Sequence, residues 1–241
     1  MTAVTSDTFF DGRIKVKQSS SGYRFSIDAV LLSHYAMPAP GDKVLDLGTG
    51  CGIIPLIVAY KNQKTTIYGV ELQDELAGLA SINVKNNRFE KQVKILCCDM
   101  TSLNINMISG PADLVISNPP FRKAESGRIN PNIQKAIARH EIRVTLDDVI
   151  KTAGRMLRNS GRFITVYPAD RLTDLIIKMR FFNIEPKLLR TVQSKSSSEA
   201  WLIIMEGIKG AGQGGLNIAP PLIIYKNDGS YTHEVEKFFI A

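Results

Sequence analysis

Apolar positions follow two different periods along this chain. Short β-branched or alternating runs at Lys43–Leu47, Thr65–Glu71, Val93–Cys98, Asp113–Ser117 and Gly161–Tyr167 predict strands. Helical patterns lie between and after them. Ile53–Tyr60 is apolar all round and predicts a buried helix, whereas Asp74–Asn87 carries Leu76, Leu79, Ala80 and Val84 at helical spacing. Thr145–Leu157 and Leu172–Phe182 predict two more helices. Thr145 suits the N-cap of the first of these, with Asp147 and Asp148 where they favour the helix dipole. Pro186–Val192 and Ala200–Glu206 flank a Ser/Lys turn at Ser194–Ser198 and predict a hairpin. Strands that alternate with helices predict an α/β protein with a mainly parallel sheet covered on both faces. The closing hairpin makes the last of its seven strands antiparallel.

The flanks read differently. Arg13–Lys17 and Tyr23–Phe25 surround a Ser/Gly turn, and a helix follows over Ser26–Tyr35 with Ser26 as its cap. After the core, Gly207–Gly215 holds five glycines and leads to Pro220-Pro221, which predicts a flexible linker and a small tail. The expected organisation is an N-terminal hairpin-and-helix extension over 1–36, a core over 37–206, and a linker and tail over 207–241.

Composition narrows the class. At 241 residues the chain can bury a core without disulfides, and no apolar run approaches the ~18 residues of a membrane span. The three cysteines, Cys51, Cys97 and Cys98, form no Cys-x-x-Cys, which fits a reducing cytoplasm and predicts no metal site. No basic stretch followed by an apolar one opens the chain, so no secretory signal is expected. The net charge of +7 is uneven: residues 1–121 carry 11 Lys/Arg and 11 Asp/Glu, whereas residues 122–195 carry 16 and 7. A basic surplus confined to one segment points to a polyanion such as nucleic acid.

The first strand runs into Asp46-Leu47-Gly48-Thr49-Gly50-Cys51-Gly52. Glycines at a strand-to-helix turn let backbone N–H groups approach a ligand. The dinucleotide pattern G-x-G-x-x-G fails at Ile53, and an acid two residues before the first glycine would repel a pyrophosphate. It suits a ligand with an ammonium group instead. Glu71, ending the second strand, is placed to accept two ribose hydroxyls, and Asp99 in Cys98-Asp99-Met100, ending the third, to accept an adenine amine. One ammonium, one ribose and one adenine without phosphate describe S-adenosylmethionine. Gly210–Gly215 also satisfies G-x-G-x-x-G formally, but Pro220 and Pro221 follow instead of a helix, so it reads as a linker.

Asn118-Pro119-Pro120-Phe121 follows the fourth strand. In an open parallel sheet that position faces the glycine loop. The nitrogen of an aromatic or amide NH2 is barely nucleophilic because its lone pair is delocalised. Two acceptors on its two N–H bonds, the Asn118 side-chain oxygen and the Pro119 carbonyl, draw it towards tetrahedral geometry. Consecutive prolines stiffen the loop, and Phe121 offers a ring on which a flat base can stack.

These segments resemble the class I S-adenosylmethionine-dependent methyltransferases, and the tetrapeptide resembles the amino-directed branch. Gly22–Leu32, Ala138-Arg139-His140-Glu141 and Pro221–Tyr225 narrow the likeness to the bacterial tRNA (adenine-N6) methyltransferases that modify an anticodon-loop adenine of a valine tRNA. The resemblance implies a Rossmann-like fold. It implies cofactor contacts at Asp46, Gly48, Gly50, Glu71, Asp99 and Met100, with Asp28 approaching the methionine end, and target contacts at Asn118, Pro119, Pro120 and Phe121. Arg122, Lys123, Arg128, Arg139 and His140 become candidates for tRNA contact. A methyltransferase acting on ribosomal RNA or on a protein glutamine, an inactive RNA-binding module, and a nicotinamide-dependent enzyme remain as alternatives.

Overall fold

A computed structural model describes residues 4–19, 27–119 and 144–240. Ten strands and six helices follow in chain order: β1 (Val4–Phe9), β2 (Ile14–Ser19), α1 (Ile27–Tyr35), β3 (Lys43–Leu47), α2 (Ile53–Lys61), β4 (Thr66–Glu71), α3 (Asp74–Asn86), β5 (Val93–Cys97), β6 (Ala112–Ser117), α4 (Leu146–Met156), β7 (Leu157–Pro168), α5 (Leu172–Phe181), β8 (Ile184–Gln193), β9 (Ala200–Lys209), β10 (Asn217–Ile223) and α6 (His233–Glu236). β3 to β10 form one sheet in the order β10-β8-β9-β7-β6-β3-β4-β5. β9 runs antiparallel to both its neighbours, and the other adjacent pairs are parallel. The seven expected strands are therefore present, with the last of them antiparallel.

Alternation along the strands sorts side chains between two cores. On one face Val44, Leu114, Ile116 and Ile164 pack with α1, α2 and the β1–β2 hairpin. On the other, Leu45, Leu47, Val115 and Phe163 pack with α4 and α5. α2 is buried along almost its whole length, as its uniform apolarity predicts, and α4 starts with a capping box between Thr145 and Asp148.

Two expectations at the ends are corrected. Ile14–Ser19 pairs with β1, a strand the sequence reading does not name, and Tyr23–Phe25 lies outside the described residues. Register pairs run from Val4↔Ser19 to Phe9↔Ile14 around a turn in which Phe10, Asp11 and Gly12 all have positive φ. Asp11-Gly12 is a hairpin signal in its own right. The C-terminal segment is not a free tail: β9 extends through Gly207 to Lys209, and β10 adds an eighth strand parallel to β8. Pro220-Pro221 is tolerated because β10 is an edge strand whose register shifts between Ala219 and Leu222. Arg190 covers the prolines' carbonyls, with Nε donating to Pro220 at 2.8 Å. The glycine-rich link is held as well: Lys187 Nζ donates to the Gly212 and Gly214 carbonyls, and Gly214 N–H donates to Glu185.

Asn83 and Asn87, one turn apart on α3, bind the backbone of alternate residues of β2 as a neighbouring strand would. Asn83 Oδ1 accepts from Lys17 N–H at 2.8 Å, and its Nδ2 donates to the carbonyls of Lys17 and Cys51, both at 2.9 Å. Asn87 exchanges the same pair with Lys15. Asn83 is fully buried and thus ties the hairpin to the glycine loop. Asn83→Leu leaves those backbone groups without partners, so we expect a loss of about 2–4 kcal/mol in urea unfolding; a loss under ~1 kcal/mol would show that the clip is dispensable.

Candidate active site

The parallel strands β3, β4, β5 and β6 deliver their carboxyl ends to one edge of the sheet. The loop after β3 is shaped by its glycines. Gly48 and Gly50 have φ of 78° and 56°, and a side chain on either would project into open space. The loop is tied from behind: Gly48 and Thr49 N–H donate to the Val70 carbonyl, each at 2.9 Å. Thr49 fits because Gly69 on β4 has no side chain; a Cβ there would sit 2.9 Å from the Thr49 hydroxyl. The result is an open cleft lined by Gly48, Thr49, Gly50 and Cys51, by Ile53 and Ile54 of α2, by Ala29 of α1, by Leu76 of α3 and by Asn118.

Asp46 alternates with Leu45 and Leu47 and so faces α2, beneath the loop. It is completely buried, and neither carboxylate oxygen has a hydrogen-bond partner of good geometry; the same is true of the Thr49 hydroxyl. Burial pushes its carboxyl up to about 7, with the neighbouring Thr49 hydroxyl opposing the shift and the charge of Glu71 adding to it. An orphaned acid in this position fits a cationic ligand, and a pyrophosphate would leave it more costly still.

Glu71 is buried at the end of β4. Its Oε2 accepts from Gly50 N–H and its Oε1 from Gln73 N–H, both at 2.9 Å. Those bonds fix the carboxylate and leave one lone pair on each oxygen, which is the arrangement two adjacent hydroxyls require. At the end of β5, Asp99 Oδ1 accepts from the Thr101 N–H and hydroxyl, both at 2.8 Å, while Oδ2 is engaged by no described residue. Met100 differs from expectation in part. Its side chain packs into the core against α4, and its carbonyl accepts from Thr152 and Arg155, so any cofactor contact is left to its backbone N–H.

Asn118 and Pro119 close β6. The Ser117 hydroxyl donates to the Leu47 carbonyl at 3.0 Å and locks that strand end against β3, beside the glycine loop. Pro119 is buried and Asn118 is half-buried against the cleft. Asp28, at the start of α1, is buried next to Ala29. The structure therefore gathers the glycine loop, Asn118 and Asp28's neighbour Ala29 around one cleft, with Asp46 buried in the strand that runs into that loop and Glu71 bonded to it. Pro120, Phe121, Arg122, Lys123, Arg128, Arg139 and His140 lie outside the described residues. Sequence reasoning missed Thr49 and Ala29, which line the cleft, and Asn83 behind it; only the recurrence of Asn at 83 and 87 hinted at the last. Among the described residues no cluster of His, Cys, Asp and Glu is arranged for a metal ion, and no helix is long and apolar enough to cross a membrane.

Comparison with known proteins decides the family. Residues 26–187 match the methyltransferase small domain model. The tRNA1(Val) (adenine(37)-N6)-methyltransferase of Porphyromonas gingivalis is 30% identical over 206 residues, covering 83% of this chain and 80% of that one. The chain belongs to this family of class I S-adenosylmethionine-dependent methyltransferases. Proteins with the same name from Dyadobacter fermentans and Pedobacter heparinus are each 25% identical, over 91% and 95% of this chain and 89% and 96% of theirs. Among solved structures, a predicted O-methyltransferase of Agrobacterium tumefaciens superposes with a TM-score of 0.71 at 20% identity, covering 88% of this chain and 94% of that chain. TrmN from Thermus thermophilus gives 0.52 at 19% identity over 75% of this chain and 48% of that one, which supports the fold alone. S-adenosylmethionine is the cofactor of this methyltransferase. The residues fit it: Asp46 is an acid lacking a partner, Glu71 has two free lone pairs, and Asp99 has a free oxygen.

Proposed function

We propose that this methyltransferase modifies the N6 amine of an adenine in tRNA, with adenine 37 of a valine tRNA as the target, and that it works in the cytoplasm where tRNA is processed. The observation that carries the reading is the meeting of Asn118 with the Gly48–Cys51 loop in one cleft. An amine acceptor then stands beside a site suited to S-adenosylmethionine. The names of the relatives from Porphyromonas, Dyadobacter and Pedobacter supply the substrate. The surplus of Lys/Arg in residues 122–195 supplies an attraction for a folded polyanion.

When bound, S-adenosylmethionine supplies a methyl group already activated on a positively charged sulfur. Asp46 and Asp28 are the acids available to its ammonium end, Glu71 takes the ribose hydroxyls, and Asp99 takes the adenine amine. Asn118 Oδ1 and the Pro119 carbonyl accept the two N–H bonds of the target amine and turn its lone pair towards the donor. Phe121 stacks on the extruded base, and an adenine in a loop is cheaper to extrude than one in a duplex. No strong base is needed, because positioning provides much of the rate and the extra proton can leave after transfer. Arg122, Lys123, Arg128, Arg139 and His140 are the proposed contacts to the RNA backbone.

Incubation of the protein and cofactor with unmodified tRNA, followed by nucleoside mass spectrometry, is expected to yield N6-methyladenosine at a single position. Methyl label that appears only in protein would transfer the reading to glutamine methylation.

A further inference from the structure

Cofactor residues and substrate residues divide the sheet between them. Asp46, Glu71 and Asp99 lie at the ends of β3, β4 and β5, which is one side of β6. The other side of β6 carries β7, β9, β8 and β10, whose ends at the same edge hold none of the expected cofactor contacts. A substrate larger than a single base must spread over that half.

The register places one residue there unusually. Ser117 pairs with Thr165 of β7, and Pro168 at the end of β7 pairs with Leu202 of β9. The start of β9 thus stands at the catalytic edge, two strand spacings, or about 10 Å across the sheet, from β6. Trp201 is the residue before Leu202. It is the only tryptophan in the chain and is 45% exposed, although its alternating neighbours Ile203 and Met205 are buried. Among the described residues the other large exposed aromatic, Phe181, ends α5, which runs back from β7's carboxyl end and so carries it to the opposite edge. In the turn that follows β7 at the same edge, the Arg171 guanidinium lies 5.1 Å over the Tyr167 ring and its Nε is 3.5 Å from Asp174.

A half-exposed indole at the same edge as the active centre offers a flat apolar face to a ligand. We propose that Trp201 stacks on an unpaired base of the RNA that flanks the target adenine, and so holds the loop open over Asn118. This rests on the reading of the substrate as RNA. Any base serves, because stacking depends on the π-face and not on hydrogen-bond readout. The β8–β9 turn that leads into Trp201 carries one basic and one acidic residue, Lys195 and Glu199, so its charge sums to zero. The grip of Trp201 is therefore one of stacking and not of charge, which separates it from the basic segment further back in the chain.

The sole tryptophan reports on itself. A synthetic stem-loop RNA with an adenine-containing single-stranded loop is titrated into the full chain while tryptophan emission and the anisotropy of the labelled RNA are followed. Emission should be quenched, with saturation at the RNA concentration where anisotropy saturates. Trp201→Ala should raise the RNA Kd and the KM for RNA about tenfold, leave S-adenosylmethionine affinity and kcat unchanged, and keep the same ratio to wild type at low and high salt. Trp201→Phe should recover part of the loss. RNA that binds and is methylated with unaltered emission, or a Trp201→Ala protein that binds RNA as wild type does, overturns the stacking role and leaves the substrate reading intact. A Trp201→Ala defect that disappears at high salt overturns it too, in favour of charge. Absence of RNA methylation, with emission that responds to a glutamine-bearing protein substrate instead, overturns both and assigns this edge to protein.

Discussion

Asn118→Ala should lower kcat for methyl transfer by about 10²–10³-fold while S-adenosylmethionine binding stays within about threefold of wild type. The magnitude follows from what is removed. An exocyclic adenine amine attacks poorly because its lone pair is shared with the ring, and in the proposed mechanism the Asn118 oxygen is one of two acceptors that oppose this sharing at the moment of attack. Loss of one preorganised hydrogen-bond partner at a reacting centre costs factors of this size. Asn118 is half-buried at the cleft wall, at the end of a strand anchored by the Ser117–Leu47 hydrogen bond, so truncation leaves its surroundings in place. Asn118→Asp keeps an acceptor oxygen and should retain more activity than the alanine variant. Single-turnover transfer to tRNA, with cofactor affinity measured separately, resolves the two parameters. A kcat for Asn118→Ala within threefold of wild type would remove the two-acceptor clamp from the mechanism.

The central part of the fold was legible because each signal in it is local. Uniform apolarity gives α2, short apolar runs give β3 and β6, and Thr145 with Asp148 caps α4 within its own first turn. Gly48, Gly50, Glu71 and Asn118 were legible because a parallel sheet sends every strand end to one edge, so order along the chain becomes proximity in space. What escaped depends on partners far away in sequence. β10 reads as a broken tail until Arg190, some thirty residues earlier, is seen to cover the carbonyls of Pro220 and Pro221. β1 has no strong period of its own, and it is recognisable only as the mate of β2. Asn83 looks like an ordinary polar helix residue, although its amide is bonded to the hairpin and to Cys51, 66 and 32 positions away. The burial of the Met100 side chain beneath α4 is not legible at a strand end, because the partner that donates to its carbonyl, Thr152, lies 52 positions on.

The second large effect belongs to Asp46, and its sign can be worked out. Burial raises the folded-state carboxyl to about 7, far above the ordinary 3.8. The cofactor-free protein therefore holds this proton more tightly than the unfolded chain does. The stabilisation from this group is complete below the unfolded value and is lost as pH rises through about 7. With Asp46 as the proposed partner of the ammonium, the cofactor's ammonium and sulfonium charges favour the ionised carboxylate and reverse the balance. Binding below pH 7 must then release a proton, and affinity should rise up to tenfold per pH unit from about pH 5.5 to 7 and level off above. Calorimetry in buffers of different ionisation enthalpy reads the released proton directly. Asp46→Asn should flatten this dependence and weaken binding roughly 10²-fold at neutral pH, since it removes one partner of a buried charged pair. Glu71, Asp28 and Asp7 are further acids near the loop, Asp7 through its charge on Cys51, and the asparagine variant separates their titration from that of Asp46. A wild-type affinity that is flat between pH 5.5 and 7.5, with no proton released, would mean that the orphaned carboxylate stays neutral in the complex and that the ammonium is held elsewhere.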